Sequence, residues 1–204
     1  NDFTGLTPPW DDQIVYSPHK YWSFNDVSTM AYATDLRAQT GAPIYLGETG
    51  ENSNVWFRDA IRLFEDLEIG WAMWPIKKVE SVSGIMSYDK PEGYQQILDY
   101  GNDPDNNTAL SKEAAKEALF NLAKGTNIQL CKPHMDVIDA MSRQVYSKKT
   151  LPYKSHKIPG VIYATDYDFG QIGHAYNDNE YANYSVSSGN YTPWNNGWAY
   201  RNDG

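Results

Sequence analysis

The chain has 204 residues, with 17 basic and 26 acidic side chains and a formal net charge of −9. That balance argues against a nucleic-acid partner, which requires a basic face, and no run of about 18 apolar residues is present to cross a membrane as a helix. A single cysteine, Cys131, excludes an internal disulfide framework and a cysteine-based zinc cluster, whereas 16 tyrosines and 7 tryptophans are an excess of rings with a polar handle, suited to a half-apolar, half-hydroxylated surface such as a sugar ring.

The opening NDFTGLTPPWDD has no Met, no basic region and no apolar stretch of the kind a signal peptide carries. The expectation is a chain that is mature or cut from a longer one, and the rest of the reading favours the second. Residues 1–13 are polar and Pro-rich and read as a loop. Ile14-Val15-Tyr16 starts a strand running toward His19 and Tyr21. Residues 26–39 have helical apolar spacing, with Asp26 or Ser28 as cap and Gly41 as stop. Residues 42–47 form a second apolar strand, ending in GETGENSN. Asn54 opens a helix over 55–68, and 70–76 is a third strand-like run. Strand, helix, strand, helix, strand with short connections predicts βαβ units and a parallel sheet.

Residues 77–108 read as a loop-rich excursion. The spacing and composition of 111–124 predict a helix capped by Ser111 and stopped by Gly125. A further helix is expected over 133–147. The basic, Pro-containing stretch 148–157 reads as a linker. The residues after it lack a helical period and are rich in aromatics, Asn, Gly and Ser, which predicts an all-β module with long polar loops.

Three strand ends carry the chemistry. His19 and Tyr21 are two apart, so on an extended chain they point the same way. Glu48 ends the second strand between Gly47 and Gly50, at the top of a parallel α/β sheet, where such folds place their chemistry. The third strand carries Trp71 and Trp74. A carboxylate, a His–Tyr pair and a Trp suit glycosidic-bond cleavage: attack on the anomeric carbon, hydrogen bonds to the nucleophile or a sugar hydroxyl, and a ring face under the sugar. Each feature alone reads as ordinary. Glu51 suits the dipole of the following helix, and Trp56 and Trp71 read as core. The case rests on three motifs in order, each on its own strand.

HKYW, APIYLGETG and IGWAMWPIKK together resemble the C-terminal part of a family 5 glycoside hydrolase, the cellulase family of (β/α)8 barrels, over about residues 1–147. The resemblance implies that Glu48 is the nucleophile, that His19 and Tyr21 match the His-x-Tyr of the sixth strand, and that Trp74 stacks on the sugar. Lys77 and Lys78 lie where the family often presents a substrate-contacting lysine, and Lys78 is taken as the substrate-binding one. The family's acid/base glutamate follows an Asn on the fourth strand. No Asn-Glu pair precedes His19, and Asn179-Glu180 lies far on, in the β-type region. The 204-residue chain alone is therefore expected to have no glycosidase turnover and, with an unclosed barrel, to fold poorly.

Residues 158–204 resemble the start of a family 6 carbohydrate-binding module, a β-sandwich, through Pro159-Gly160, Asp166-Tyr167-Asp168, the Ala-Tyr-Asn-Asp run at 175–178 and the AYRNDG run at 199–204. The two glutamates that hold that family's calcium fall on Tyr163 and Thr165, neither a strong side-chain ligand, which puts a structural calcium in doubt; no other cofactor is implied. Trp194, Trp198 and Tyr200 are the candidates for a sugar platform, with Trp198 and Tyr200 taken as binding residues.

The fold class expected is thus α/β: the C-terminal part of a (β/α)8 TIM barrel (1–147), a linker (148–157), and the N-terminal part of a β-sandwich (jelly-roll) module (158–204). The function expected is a fragment of a secreted, monomeric, retaining glycosidase. Its partner is a polysaccharide, β-1,4-glucan or a related β-glucan or mannan, and neither nucleic acid nor membrane. The alternative is a non-catalytic carbohydrate-binding protein in which the barrel remnant is a scaffold.

Overall fold

Residues 9–105, 110–179 and 200–202 are described by a computed structural model of the chain. Two βαβ crossovers form its centre. β1 (His19–Tyr21), β2 (Tyr45–Gly50) and β3 (Gly70–Trp74) make a sheet in that order, with both pairings parallel. A 3₁₀ turn (Val27–Met30) and α1 (Ala31–Thr40) join β1 to β2, and α2 (Asn54–Asp66) joins β2 to β3. The stretch before β1 contributes a single parallel bridge between Tyr16 and Ile44. Pro18 lacks an N–H and cannot donate to a ladder, but its carbonyl accepts from Gly47 N at 3.2 Å, so the backbone still tracks β2.

Local chemistry sets the helix ends. The Asp26 carboxylate accepts from Thr29 N at 3.2 Å and caps the 3₁₀ turn. Gly41 adopts φ +69, a conformation a side chain would disfavour, and its N–H closes α1 on Arg37 O at 2.9 Å. Ser53 caps α2 by accepting from Trp56 N. α2 is buried nearly all round. Trp56, Phe57, Ala60, Leu63 and Phe64 meet Met30, Ala33 and Leu36 on one side and Ile44 and Leu46 of the sheet region on another. Val137 adds the contact to the helices that follow.

The stretch 77–108, read from sequence as loops, holds more structure. β4 (Lys77–Val79) and β5 (Met86–Tyr88) pair in parallel, and α3 (Tyr94–Asn102) follows. Three-residue strands are too short to show an alternating period, which is why the pattern missed them. α4 (Lys112–Gly125) starts from the expected Ser111 cap, whose Oγ accepts from Ala114 N at 3.2 Å. β6 (Lys132–Pro133) then joins β5 in antiparallel fashion. The single helix expected over 133–147 is two, α5 (Met135–Met141) and α6 (Arg143–Tyr146). Ser142 divides them at φ −118, ψ −82, and its hydroxyl donates back to Ile138 O at 2.6 Å.

Beyond α6 the described residues carry two isolated bridges, Leu151 with Phe169 and Ile172 with Tyr176, and no longer strand. They lie against the helices: Gln171 Nε2 donates to Gln144 O at 2.6 Å and to Ser147 O at 3.2 Å. Trp194 and Trp198 fall outside the described residues. Among the described residues no helix is long and apolar enough to cross a membrane.

The α2 core predicts a sharp contrast between two phenylalanines. Phe64 is fully buried and Phe120 on α4 is 57% exposed. Phe64→Ala is expected to lower the unfolding free energy by about 3–5 kcal/mol, and Phe120→Ala to change it by within about 0.5 kcal/mol, both read from urea denaturation.

Candidate active site

Parallel pairing places His19 opposite Glu48 and Tyr21 opposite Gly50. Side chains two apart on a strand share a face, so His19 and Tyr21 flank the same carboxylate. The Tyr21 hydroxyl donates to Glu48 Oε2 at 3.0 Å, and His19 Nδ1 lies 3.4 Å from the same oxygen. Burial, then the hydrogen bond to Glu48 and the charges of Glu48 and Glu51, push the Tyr21 phenol well above its ordinary range. Tyr21 therefore remains a donor at any physiological pH.

The other edge of β2 is irregular at the same point. Leu46 pairs with Trp71 but Thr49 with Met73, so β2 holds one residue more than β3 across Gly47 and Glu48. Such a bulge re-aims a side chain at a strand end. Gly50 then lies against β3 so closely that a Cβ would stand 2.2 Å from the Trp74 carbonyl oxygen. Only glycine fits, and the exposed Trp74 pairs with Gly50 at the end of the sheet.

Lys78 pairs with Glu51, while Lys77 points elsewhere and donates to Thr126 O at 2.6 Å. Of the two lysines, Lys78 is the one at this strand end. Glu51, just before α2 as the sequence reading had it, also has partners beyond the helix. Its carboxylate faces an ammonium, its carbonyl accepts from Trp22 Nε1 at 3.0 Å, and its φ is +51. Trp22 is a residue that sequence reasoning passed over, although it completes the HKYW motif; its ring centre is 5.9 Å from that of Tyr21.

Lys20 is another. It sits between His19 and Tyr21 but points to the opposite face and is 2% exposed. Its ammonium donates to Ser23 Oγ, to Phe24 O at 2.8 Å and to Thr29 Oγ1 at 3.4 Å, with the Trp56 ring 5.8 Å away. Desolvation lowers its pKa to about 8, partly offset by the charge of Asp26.

Tyr200 belongs to a separate cluster. Its hydroxyl accepts from Tyr153 OH at 3.1 Å and donates to Asp166 Oδ1 at 3.3 Å, and its ring meets Tyr153 edge-on at 6.2 Å. Tyr163 and Thr165 are both exposed. Among the described residues no group of three His, Cys, Asp or Glu side chains is placed to hold a metal ion.

No protein-family model, curated protein or solved structure matches the chain. The site therefore stands on its own geometry: Glu48 met by Tyr21 and His19, Trp74 paired with Gly50 on the next strand, and Lys78 paired with Glu51.

Lys20 predicts a titration of stability. The unfolded chain binds the Lys20 proton up to about pH 10.5, the folded one only to about pH 8. The cost of burying the charge is fully present below pH 8 and is relieved as pH rises to 10.5. Over that window the unfolding free energy of the wild type relative to Lys20→Met is expected to rise, by up to about 1.4 kcal/mol per pH unit. Denaturant titrations of both proteins from pH 7 to 11 check the slope; a flat difference would contradict it.

Proposed function

We propose that this chain carries the nucleophile half of a retaining glycosidase site, in the C-terminal part of a (β/α)8 barrel, followed by the start of a carbohydrate-binding module. The observation that carries the reading is the convergence of the Tyr21 hydroxyl and the His19 imidazole on one oxygen of Glu48, at the C-terminal end of a parallel sheet. With Oε2 held, Oε1 is the oxygen that attacks the anomeric carbon.

Glu48 attacks through an oxocarbenium-like transition state to give a glycosyl-enzyme, which water then resolves. The Tyr21 hydroxyl keeps the carboxylate in one orientation, and His19 supports the same oxygen or a sugar hydroxyl. The exposed Trp74 ring supports the sugar next to the cleaved bond. Lys78, held by Glu51, offers N–H donors to a sugar hydroxyl. The mechanism needs a second carboxyl, the acid/base, about 5–5.5 Å from Glu48; the reading assigns it to a strand that precedes β1. The substrate class is a β-1,4-glucan or a related β-glucan or mannan, acted on outside the cell by a monomer. Tyr200 and Trp198 belong to the sugar-binding surface of the module, which raises the enzyme's local concentration on an insoluble chain.

The test is covalent trapping in the full-length protein. A dinitrophenyl 2-deoxy-2-fluoro-β-cellobioside has a leaving group that needs no acid, so it should leave a fluoroglycosyl adduct on Glu48, located by peptide mass spectrometry. Glu48→Gln should abolish the adduct and lower turnover of a soluble β-glucan on the order of a thousandfold or more, while retention on insoluble polysaccharide stays. Normal turnover in Glu48→Gln would overturn the assignment and leave the non-catalytic carbohydrate-binding alternative.

A further inference from the structure

Where β2 passes into α2, three buried asparagines and one aspartate meet. Asn52, Asn54 and Asn202 are at most 2% exposed and Asp136 is 9% exposed. Asn202 reaches this point from 148 residues beyond Asn54. Its side-chain amide donates to Asn52 O at 2.8 Å and to Asn54 Oδ1 at 3.2 Å. Its backbone carbonyl accepts from Asn54 N at 2.7 Å, and its backbone N–H donates to Asp136 Oδ2 at 2.9 Å. The same Asp136 oxygen accepts from Asn54 Nδ2 at 2.9 Å, so α2 and α5 are tied together through the cluster. Next to it the Arg201 guanidinium lies 3.9 Å from the Tyr167 ring centre, 5.0 Å from that of Tyr153 and 5.3 Å from that of Phe169.

The segment held this way adjoins the candidate nucleophile. Glu51, one residue before Asn52, has φ +51. A non-glycine residue persists in that region only where its surroundings hold it. Trp22 holds the Glu51 carbonyl and Lys78 its carboxylate. The next carbonyl along, that of Asn52, is held by Asn202. The first N–H of α2, left without an intrahelical partner by helix geometry, is also met by Asn202.

We propose that Arg201 and Asn202 form a strut for the loop after the candidate nucleophile, with Asn202 a positioning residue that acts through Asn52 and Asn54 on Glu51 and so on Glu48. Asparagine suits the place. It supplies the donor that Asn52 O needs and brings no second charge beside Asp136. Aspartate there would lose the donor and set two carboxylates together.

The strut itself is independent of the glycosidase reading; only its kinetic consequence rests on that reading. Two measurements on the full-length protein separate them. In Asn202→Ala, amide hydrogen exchange over residues 50–56 should rise about tenfold, as loss of one net hydrogen bond implies, while exchange in α4 stays at the wild-type rate. For a soluble β-glucan kcat should fall about tenfold with KM within about twofold, the split expected when a positioned group is lost in the transition state. Wild-type exchange over 50–56, or an equal rise in α4, overturns the proposal. If Asn202→Ala does not fold, Arg201→Lys carries the test, since it keeps the charge but loses the stacked plane; its exchange should rise over the same residues, and unchanged exchange there overturns the proposal equally. If Glu48→Gln keeps full turnover, the glycosidase reading falls and the exchange data alone judge the strut.

Discussion

The pairing of β1 with β2 is the constraint on which this site depends. Side chains on a strand alternate faces, so a slip of one residue would carry His19 and Tyr21 away from Glu48 and present Lys20 in their place. Burial on both faces resists that slip. Leu46 is fully buried in the core, and Lys20 is enclosed by Ser23, Phe24 and Thr29 on the far face. A buried ammonium without these three acceptors would be severely destabilising. Lys20 thus fixes the face on which its two neighbours stand.

The strand ends combine several locally unfavourable choices. β2 is bulged at Glu48, Gly50 packs against a carbonyl, and Trp22 and Glu51 both have positive φ. α2 compensates from beneath. Trp56, fully buried, donates its indole N–H to Ser23 O at 2.8 Å, and its own carbonyl accepts from Asn25 Nδ2 at 3.1 Å. One large side chain on a rigid helix therefore anchors the loop that leaves β1. Strain collected at a strand end and borne by the packed helix behind it is the arrangement that preorganised sites use.

Much of this was legible in the sequence because its signals were local. The Asp26 and Ser111 caps, the Gly41 stop and the apolar residues of α2 each depend on residues within a turn or two, and the order of strand ends singled out Glu48, His19 and Tyr21, which the structure sets side by side. What stayed hidden depends on distance. Glu51 beside a helix start gives no hint that Lys78 arrives from another strand to pair with it. Lys20 looks like a solvated lysine until its three acceptors close around it. The Asn202 cluster joins residues whose spacing carries no period and no motif, so no local rule could draw them together. Likewise the break at Ser142 follows from one hydroxyl choosing a carbonyl, below what apolar spacing resolves.

The motif GETGE presents two glutamates, and their surroundings distinguish them. Glu51 faces the Lys78 ammonium. An ion pair of that kind offsets negative charge and leaves a poor nucleophile. Glu48 is met by a phenol and an imidazole, both on one oxygen. Tyr21 feels both carboxylates, and their combined charge helps to keep its proton in place. The phenol therefore serves as a donor to Glu48 and not as a competing base. Within three residues of chain, one carboxylate pairs with an ammonium and the other accepts from a phenol beside an imidazole, so it is the choice of partner, more than position along the strand, that distinguishes the two glutamates.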